Sequence, residues 1–372
     1  MPRVSATALL KPIAALGATA IVRFVRRAFV KGAAAGGALA VLAAITLALL
    51  AAATPSGDFL FLPSPAQPVA PVVKVAGEPP DPPPSGAGFL FTAVTQRRAS
   101  RLESWLPFLR DDHAELVPSG ALIPPGGTPE EQDKVDRAAM TDSQRTAAAV
   151  AERALGRDVK IATRGVRVDD TAVPGGSPAR AAGLTSGDVI TAVNGTPVTT
   201  LAQLRTELAR FKPGDTVTIA YTRAGNVATT PAKLRASPDA SHRAILGIGG
   251  SDDLDITLAV PVTYSIGDVE GPSAGLAFAL EVYSAMTGRT LARGYRVAVT
   301  GALEIGGEVQ PIGGAEQKAI GAARSHAEVF LVPTQNLADA RKGAPKSLRV
   351  LPVKSFADAI AQLKALPPLS TK

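Results

Sequence analysis

The chain has 372 residues, enough for two or three domains, and is 46% hydrophobic but only 4% aromatic, so alanine, valine and leucine must supply most of the core. It has no cysteine, which excludes a thiol nucleophile and a disulfide-stabilised fold. The formal charge of +7 is an N-terminal feature: six of the 39 basic residues (Arg3, Lys11, Arg23, Arg26, Arg27, Lys31) precede the first acidic residue, Asp58, leaving 33 against 32 elsewhere, which argues against a nucleic-acid-binding face.

From Gly32 to Ala53 run 22 residues without a charge, Thr46 being the only clearly polar one. As a helix this stretch would be about 33 Å long, enough to cross a bilayer core. We therefore expect a basic cytoplasmic leader over residues 1–31 and a transmembrane helix over 32–54, with the bulk of the chain outside the cytoplasm. A cleaved secretory signal is the alternative, because "LALLAAAT" offers small residues at a cleavage site. Ten prolines between residues 54 and 88 suggest an extended spacer over 55–99, in which "PVVKVAG" and "GFLFTAV" can pair as strands. Residues 100–159 read as a helical connecting segment, with "TDSQRTAAAVAERALG" capped at Thr141 or Asp142 and closed by Gly156. It carries no recognisable chemistry, and its expected role is positioning.

From about Lys160 the pattern changes. "RGVRV" is a strand signal, "SPARAAGL" a brief helix, and "DVITAVNGTPV" a strand with an Asn-Gly turn. Leu201, Leu204, Leu208 and Phe211 recur at helical spacing, and Val217, Ile219 and Tyr221 alternate as a strand. This order, and "GSPARAAGLTSGDVITAVNGTPV" in particular, resembles the PDZ domains of bacterial proteases, here over residues 160–236. The resemblance implies binding of peptide ends or extended segments by strand addition, with the segment at Gly165-Val166 as the candidate edge beside the Leu201–Phe211 helix. A packing module without a ligand is the plainer reading.

Residues 240–366 alternate strands and helices. Leu254, Ile256, Leu258, Val260 and Val262 alternate strictly, which predicts a strand with one buried face. "EGPSAG" follows, with Pro272 suited to a first helical turn and Gly288 to its end. Ser273 then sits where free backbone N–H groups and the positive end of the helix dipole favour an oxyanion, although a serine there is more often only a cap. Lys318 lies 45 residues further on, in "PIGGAEQKAIGAA", flanked by Ala315, Ala319 and Ala322. Small neighbours allow the amine to be enclosed, and desolvation lowers a lysine pKa far enough for the neutral amine to take a hydroxyl proton. The plain alternative is a lysine reaching solvent over alanines.

GPSAG also satisfies the nucleophile-elbow pattern, whose triad runs serine, acid, histidine. Only His326 follows Ser273, no aspartate lies between them, and too little chain remains for the large sheet that fold requires. His113, His242 and His326 are scattered and form no H-E-x-x-H, so no metal site is expected.

The motifs "EGPSAG", "TGALEIGGEVQPIGGAEQKAIGAA" and "VFLVPTQN" occur in the order found in the proteolytic domain of Lon proteases, which this region resembles. With the anchor and PDZ-like segment the chain is similar to membrane-anchored, PDZ-containing Lon-like proteases. The fold class implied is a multidomain α+β chain: an N-terminal transmembrane helix, a PDZ-like β-rich domain and a C-terminal Lon-type α/β proteolytic domain. The resemblance maps the nucleophile onto Ser273, the general base onto Lys318 and a lysine-supporting hydroxyl onto Thr300, with Gly271, Pro272 and Ala274 forming the oxyanion and nucleophile loop. Where Lon commonly has a glutamate two residues after the threonine, this chain has Ala302. No Walker motif occurs, so no ATP and no other cofactor is expected. The implied function is an ATP-independent serine endopeptidase that cleaves unfolded or peptide-like proteins outside the membrane and assembles as a homo-oligomer, a hexameric ring being one arrangement. A non-catalytic, membrane-tethered peptide-binding scaffold is the reading from another class.

Overall fold

The computed structural model describes residues 36–78, 86–123, 127–171, 176–239, 241–267 and 269–369; the basic leader lies outside them. The chain divides into two compact units, one comprising residues up to Phe59 with Arg97–Asp111, the other Leu60–Gln96 with Asp112–Lys372.

In the first unit, helix α1 (Gly36–Ala53) is built almost wholly of alanine, leucine and other apolar residues. The structure gives no support to the transmembrane helix expected over 32–54: residues 32–35 lie outside the described residues, and the described part, Gly36–Ala53, has 18 residues. Among the described residues no helix is long and apolar enough to cross a membrane. Helix α2 (Arg101–Trp105) follows in the same unit and starts at a reciprocal capping box between Ser100 and Glu103.

The second unit holds the longest helix, α3 (Pro129–Ala154), opened by a capping box between Thr128 and Glu131 with proline in its first turn. The helix predicted from Thr141 or Asp142 thus begins a dozen residues earlier. Its alanine-rich second half, Ala147 to Ala151, is buried.

Two sheets follow from the alternating segments. The first is antiparallel and built from β4 (Lys160–Asp170), β5 (Val189–Val193), β6 (Thr216–Arg223), β7 (Asn226–Lys233) and β8 (Gly249–Thr257), in the order β7-β6-β5-β4-β8. Val166, Val168, Ile190, Val193, Val217 and Ile219 turn inward from it. They pack with Ala179 of α4 (Pro178–Ala181) and with Leu204 and Leu208 of α5 (Leu201–Leu208). The expected Asn-Gly turn is present, with both Asn194 and Gly195 at positive φ.

The alternating run from Leu254 to Val262 is not a single strand of the C-terminal domain. Its first half lies in β8, antiparallel to β4 from Gly249 opposite Asp170 to Thr257 opposite Lys160. The chain then breaks at Leu258–Pro261 and resumes as β9 (Val262–Tyr264) in another sheet.

The second large sheet contains β1 (Gln67–Pro68), β3 (Gly88–Phe91), β10 (Arg296–Val299), β11 (Val329–Pro333) and β12 (Arg349–Val353), in that spatial order. Its β3, β10, β11 and β12 run parallel. The described residues 60–78 and 86–96 are therefore not a spacer, and residues 79–85 lie outside the described residues. Gly88–Phe91 pairs with Arg296–Val299, and β2 (Val73–Val75) pairs with β9 instead of with the Gly88–Phe91 strand. Phe89, Phe91, Val297, Val299, Val329 and Leu331 face one core, with α3, α6 (Gly275–Met286) and α9 (Phe356–Ala365). The alternate residues Leu90, Ala298, Phe330 and Val332 face the other, with α7 (Ala315–Arg324) and α8 (Leu337–Gly343). This strict alternation makes a three-layer α/β domain with β10 in the middle of its sheet.

Candidate active site

Central strand β10 ends at Val299, and Thr300 is the next residue. At this carboxyl edge the start of α6, from one face of the sheet, meets α7 from the other. Nζ of Lys318 lies 2.8 Å from Oγ of Ser273 and 3.3 Å from Oγ1 of Thr300. Thr300 also donates to the Ser273 carbonyl at 3.3 Å, and the Gly301 N–H donates to the same oxygen at 2.8 Å. The three residues singled out from sequence are thus brought together.

Their environments differ in the way proton transfer needs. Ser273 is half-buried and reachable, whereas Lys318 is only 3% exposed and Thr300 is fully buried. Ala315, Ala319 and Ala322 are buried around the lysine on α7. Burial pushes the Lys318 amine down to about 7, so a large fraction is neutral at neutral pH. Ala302 sits in a two-residue strand against Gln310. His326 is exposed beyond the far end of α7.

Pro272–Ala274 form a 3-10 turn rather than the first turn of one long helix, and α6 starts at Gly275. Gly271 enters that turn at φ 82°, a conformation strained for any residue with a Cβ. The Ser273 N–H, in the first position of this turn that carries one, has no acceptor within its own helix and is available to an oxyanion.

Sequence reasoning missed what holds this turn. The Oγ of Ser143, midway along α3, donates to the Pro272 carbonyl at 3.1 Å, and the Gly271 N–H donates to the Asp136 carbonyl at 3.1 Å. A Cβ at Gly275 would lie 2.6 Å from Ser143 Oγ, so only glycine lets α3 and α6 come this close. On its other side α3 is bound to the antiparallel sheet by an Arg167–Asp142 ion pair and to α4 by Arg180 to Glu131 at 3.1 Å. A serine in a charged helix gives no sequence signal for such a contact.

The expected peptide edge at Gly165-Val166 is corrected. Val166 pairs with Ile190 on one side and Asp252 on the other, and Gly165 lies opposite Asp253. Residues 249–257, supplied from beyond the expected domain boundary, occupy that edge. The edge strand is β8 itself. A cavity of about 440 Å³ lies between α5 and the segment leading into β8, lined by Leu201, Leu204, Leu208, Ile248, Arg205 and Arg243. Asp252 of β8 accepts from the Leu201 N–H at 2.7 Å and ties the two walls together.

Residues 248–364 match the model of the Lon protease (S16) C-terminal proteolytic domain. The chain carries a Lon-type proteolytic domain. Residues 153–234 match the PDZ domain model, so a PDZ module precedes it. Curated relatives agree with the protease match. The Lon protease of Rhizobium meliloti (strain 1021) is 37% identical over 113 residues, 30% of this chain and 14% of that protein. Lon protease 2 of Herpetosiphon aurantiacus is 41% identical over 108 residues, 28% of this chain and 12% of that one. The chain thus spans about a seventh or less of these relatives' length. The crystal structure of the PDZ domain of an SdrC-like protein from Listeria monocytogenes is 28% identical, covering 24% of this chain and 92% of that one with a TM-score of 0.22. The Lon-type match encompasses Ser273, Thr300 and Lys318; it also takes in β8, which the structure places in the PDZ sheet.

Proposed function

We propose that this chain is an ATP-independent serine endopeptidase acting through a Ser273–Lys318 dyad. The observation that carries the reading is a fully enclosed amine 2.8 Å from a reachable serine hydroxyl. Neutral Lys318 takes the Ser273 proton as Oγ attacks a peptide carbonyl, and the oxyanion is held by the Ser273 N–H at the helix start. The protonated lysine gives its proton to the leaving amine, leaving an acyl-enzyme. Lys318, neutral again, takes a proton from water as the water attacks the ester, and Ser273 is restored. Thr300 fixes the amine through its hydroxyl and the nucleophile through its bond to the Ser273 carbonyl.

The substrates proposed are unfolded or peptide-like proteins, recruited by strand addition to the outer edge of β8, with Arg205 and Arg243 suited to a terminal carboxylate and the leucines of α5 to an apolar side chain. The full reading includes a homo-oligomer and an extracytoplasmic, membrane-associated location. The uncharged run from Gly32, the basic leader and the exposed leucines of α1 (Leu42, Leu47, Leu49, Leu50) support the location.

The deciding assay measures cleavage of an unfolded protein without ATP by the full chain and its Ser273→Ala, Lys318→Ala and His326→Ala variants. The first two are expected to lose at least ~10³-fold in turnover and the third to retain activity. Undiminished cleavage by Ser273→Ala or Lys318→Ala would end the dyad reading. A wild-type chain that binds peptides at β8 yet cleaves none would favour the scaffold.

A further inference from the structure

Among the described residues, the largest exposed aromatic side chains lie far along the chain from the chemistry, in the first unit. Trp105 is 69% exposed and Phe108 78%, and Leu109 beside them is also open to solvent. Trp105 is the only tryptophan in the protein. A soluble surface loop normally presents its polar groups outward and tucks its aromatics in. Here the arrangement is reversed.

The polar groups of residues 97–111 are turned back on their own segment. Arg97 holds Glu103 at 2.6 Å and Asp111 at 2.9 Å. Ser100 and Glu103 cap α2 reciprocally. Arg110 donates to the Glu103 carbonyl at 2.8 Å and to the Ser104 carbonyl at 3.2 Å. The guanidinium of Arg98 lies over the ring of Phe59 at 5.8 Å. With these groups engaged, the Trp105–Leu109 turn projects from a fixed frame. Pro107 starts its 3-10 turn, which closes with Leu109 and Arg110 donating back to Leu106 and Pro107.

This turn is fastened to the apolar helix. The N–H of Arg101, the first residue of α2, donates at 2.9 Å to the carbonyl of Thr54, the residue after α1. A second bond, from Ser56 Oγ to the Ala99 carbonyl at 3.2 Å, lies one step further on. The exposed aromatics thus belong to the C-terminal end of a helix whose own leucines are exposed. Residues 97–111 carry four arginines against two acidic residues, a net charge of +2.

We propose that Trp105, Phe108 and Leu109 form an interfacial anchor that enters the headgroup region of a bilayer containing anionic phospholipid. Tryptophan and phenylalanine beside cationic side chains suit that layer, where one end of a ring meets hydrocarbon and the surroundings are wet and negatively charged. The patch adds apolar contact beside the C-terminal end of the apolar helix α1. This inference rests on the membrane-associated reading above and is tested separately from it.

The test uses the full chain reconstituted into vesicles of phosphatidylethanolamine and phosphatidylglycerol, and reads the single tryptophan. Trp105 emission is expected to shift to the blue, to resist aqueous iodide, and to be quenched more by lipids brominated near the headgroup than by those brominated deep in the chain. A Trp105→Phe/Phe108→Trp variant moves the reporter by one turn and is expected to give the same pattern. Co-flotation with a water-like, iodide-quenched Trp105 would overturn the anchor while leaving the membrane reading standing. A Trp105 shielded from both iodide and bromolipid would assign the patch to a protein contact and also overturn it. Failure of the chain to co-float at all would remove both readings.

Discussion

Burial of Lys318 acts in opposite directions on chemistry and on stability. For chemistry the amine must be neutral, so kcat/KM on a peptide is expected to rise with pH through about 7, the value to which burial lowers the group. For stability the sign reverses the usual expectation for a lysine. The unfolded chain binds a proton up to about pH 10.4 that the folded chain releases near 7, so stability from this residue rises with pH across that window and its cost is complete below it. Lys318→Met should therefore abolish cleavage yet stabilise the fold below pH 7 by on the order of a few kcal/mol, a difference that fades toward pH 10 in thermal unfolding. Thr300→Val keeps the shape of a fully buried side chain and removes both of its hydrogen bonds; turnover is expected to fall roughly 10- to 100-fold with the pH profile displaced. Ser273 and Lys318 were legible as candidates from their motifs, whereas Thr300 came only from the resemblance to Lon proteolytic domains. Ser143 was not legible, since nothing along the chain marks a serine that grips a carbonyl 129 positions away.

At the level of elements, α3 is the part whose role the sequence concealed. Its alanine-rich half was readable, but its charged first half lacks apolar periodicity, although Thr128, Pro129 and Glu131 do spell a helix start. What the helix does depends on contacts at both flanks, to Pro272 and Gly271 on one side and to Arg167 and Arg180 of the PDZ module on the other. Gly275→Ala tests this packing. The added methyl meets Ser143 Oγ at 2.6 Å, and overpacking of this kind is expected to cost about 1–3 kcal/mol in unfolding free energy and to slow turnover by shifting the nucleophile turn. Adding Ser143→Ala removes the opposing oxygen, so the double variant should recover part of the stability lost by Gly275→Ala. Strict additivity in that cycle would mean the two side chains do not meet.

For the whole molecule, the consequence lies in β8. Alternation from Leu254 to Val262 specified extended backbone but not which sheet receives it, because a period of two fixes faces and not partners. The structure divides that run: Gly249–Thr257 closes the PDZ sheet, and Glu152 of α3, fully buried, then accepts the N–H groups of Ala259 at 2.8 Å and Val260 at 3.1 Å before the chain reaches β9 and Ser273. The last strand of the PDZ sheet is therefore followed within a few residues by the segment that leads to the nucleophile turn. Deleting residues 160–235 would strip β8 of its partner β4 and leave nine residues of unpaired backbone upstream of the nucleophile turn. Such a deletion is expected to abolish cleavage of short peptides and of proteins alike, and to lower the unfolding temperature of what remains. Arg205→Glu, on the exposed face of the α5 groove, leaves β8 intact and reverses charge where a peptide carboxylate would sit. It should raise KM for an unfolded protein several-fold more than KM for a peptide too short to span from β8 to Ser273. If instead the deletion variant still cleaves short peptides at the wild-type rate, β8 does not support the active site and the domains are separable.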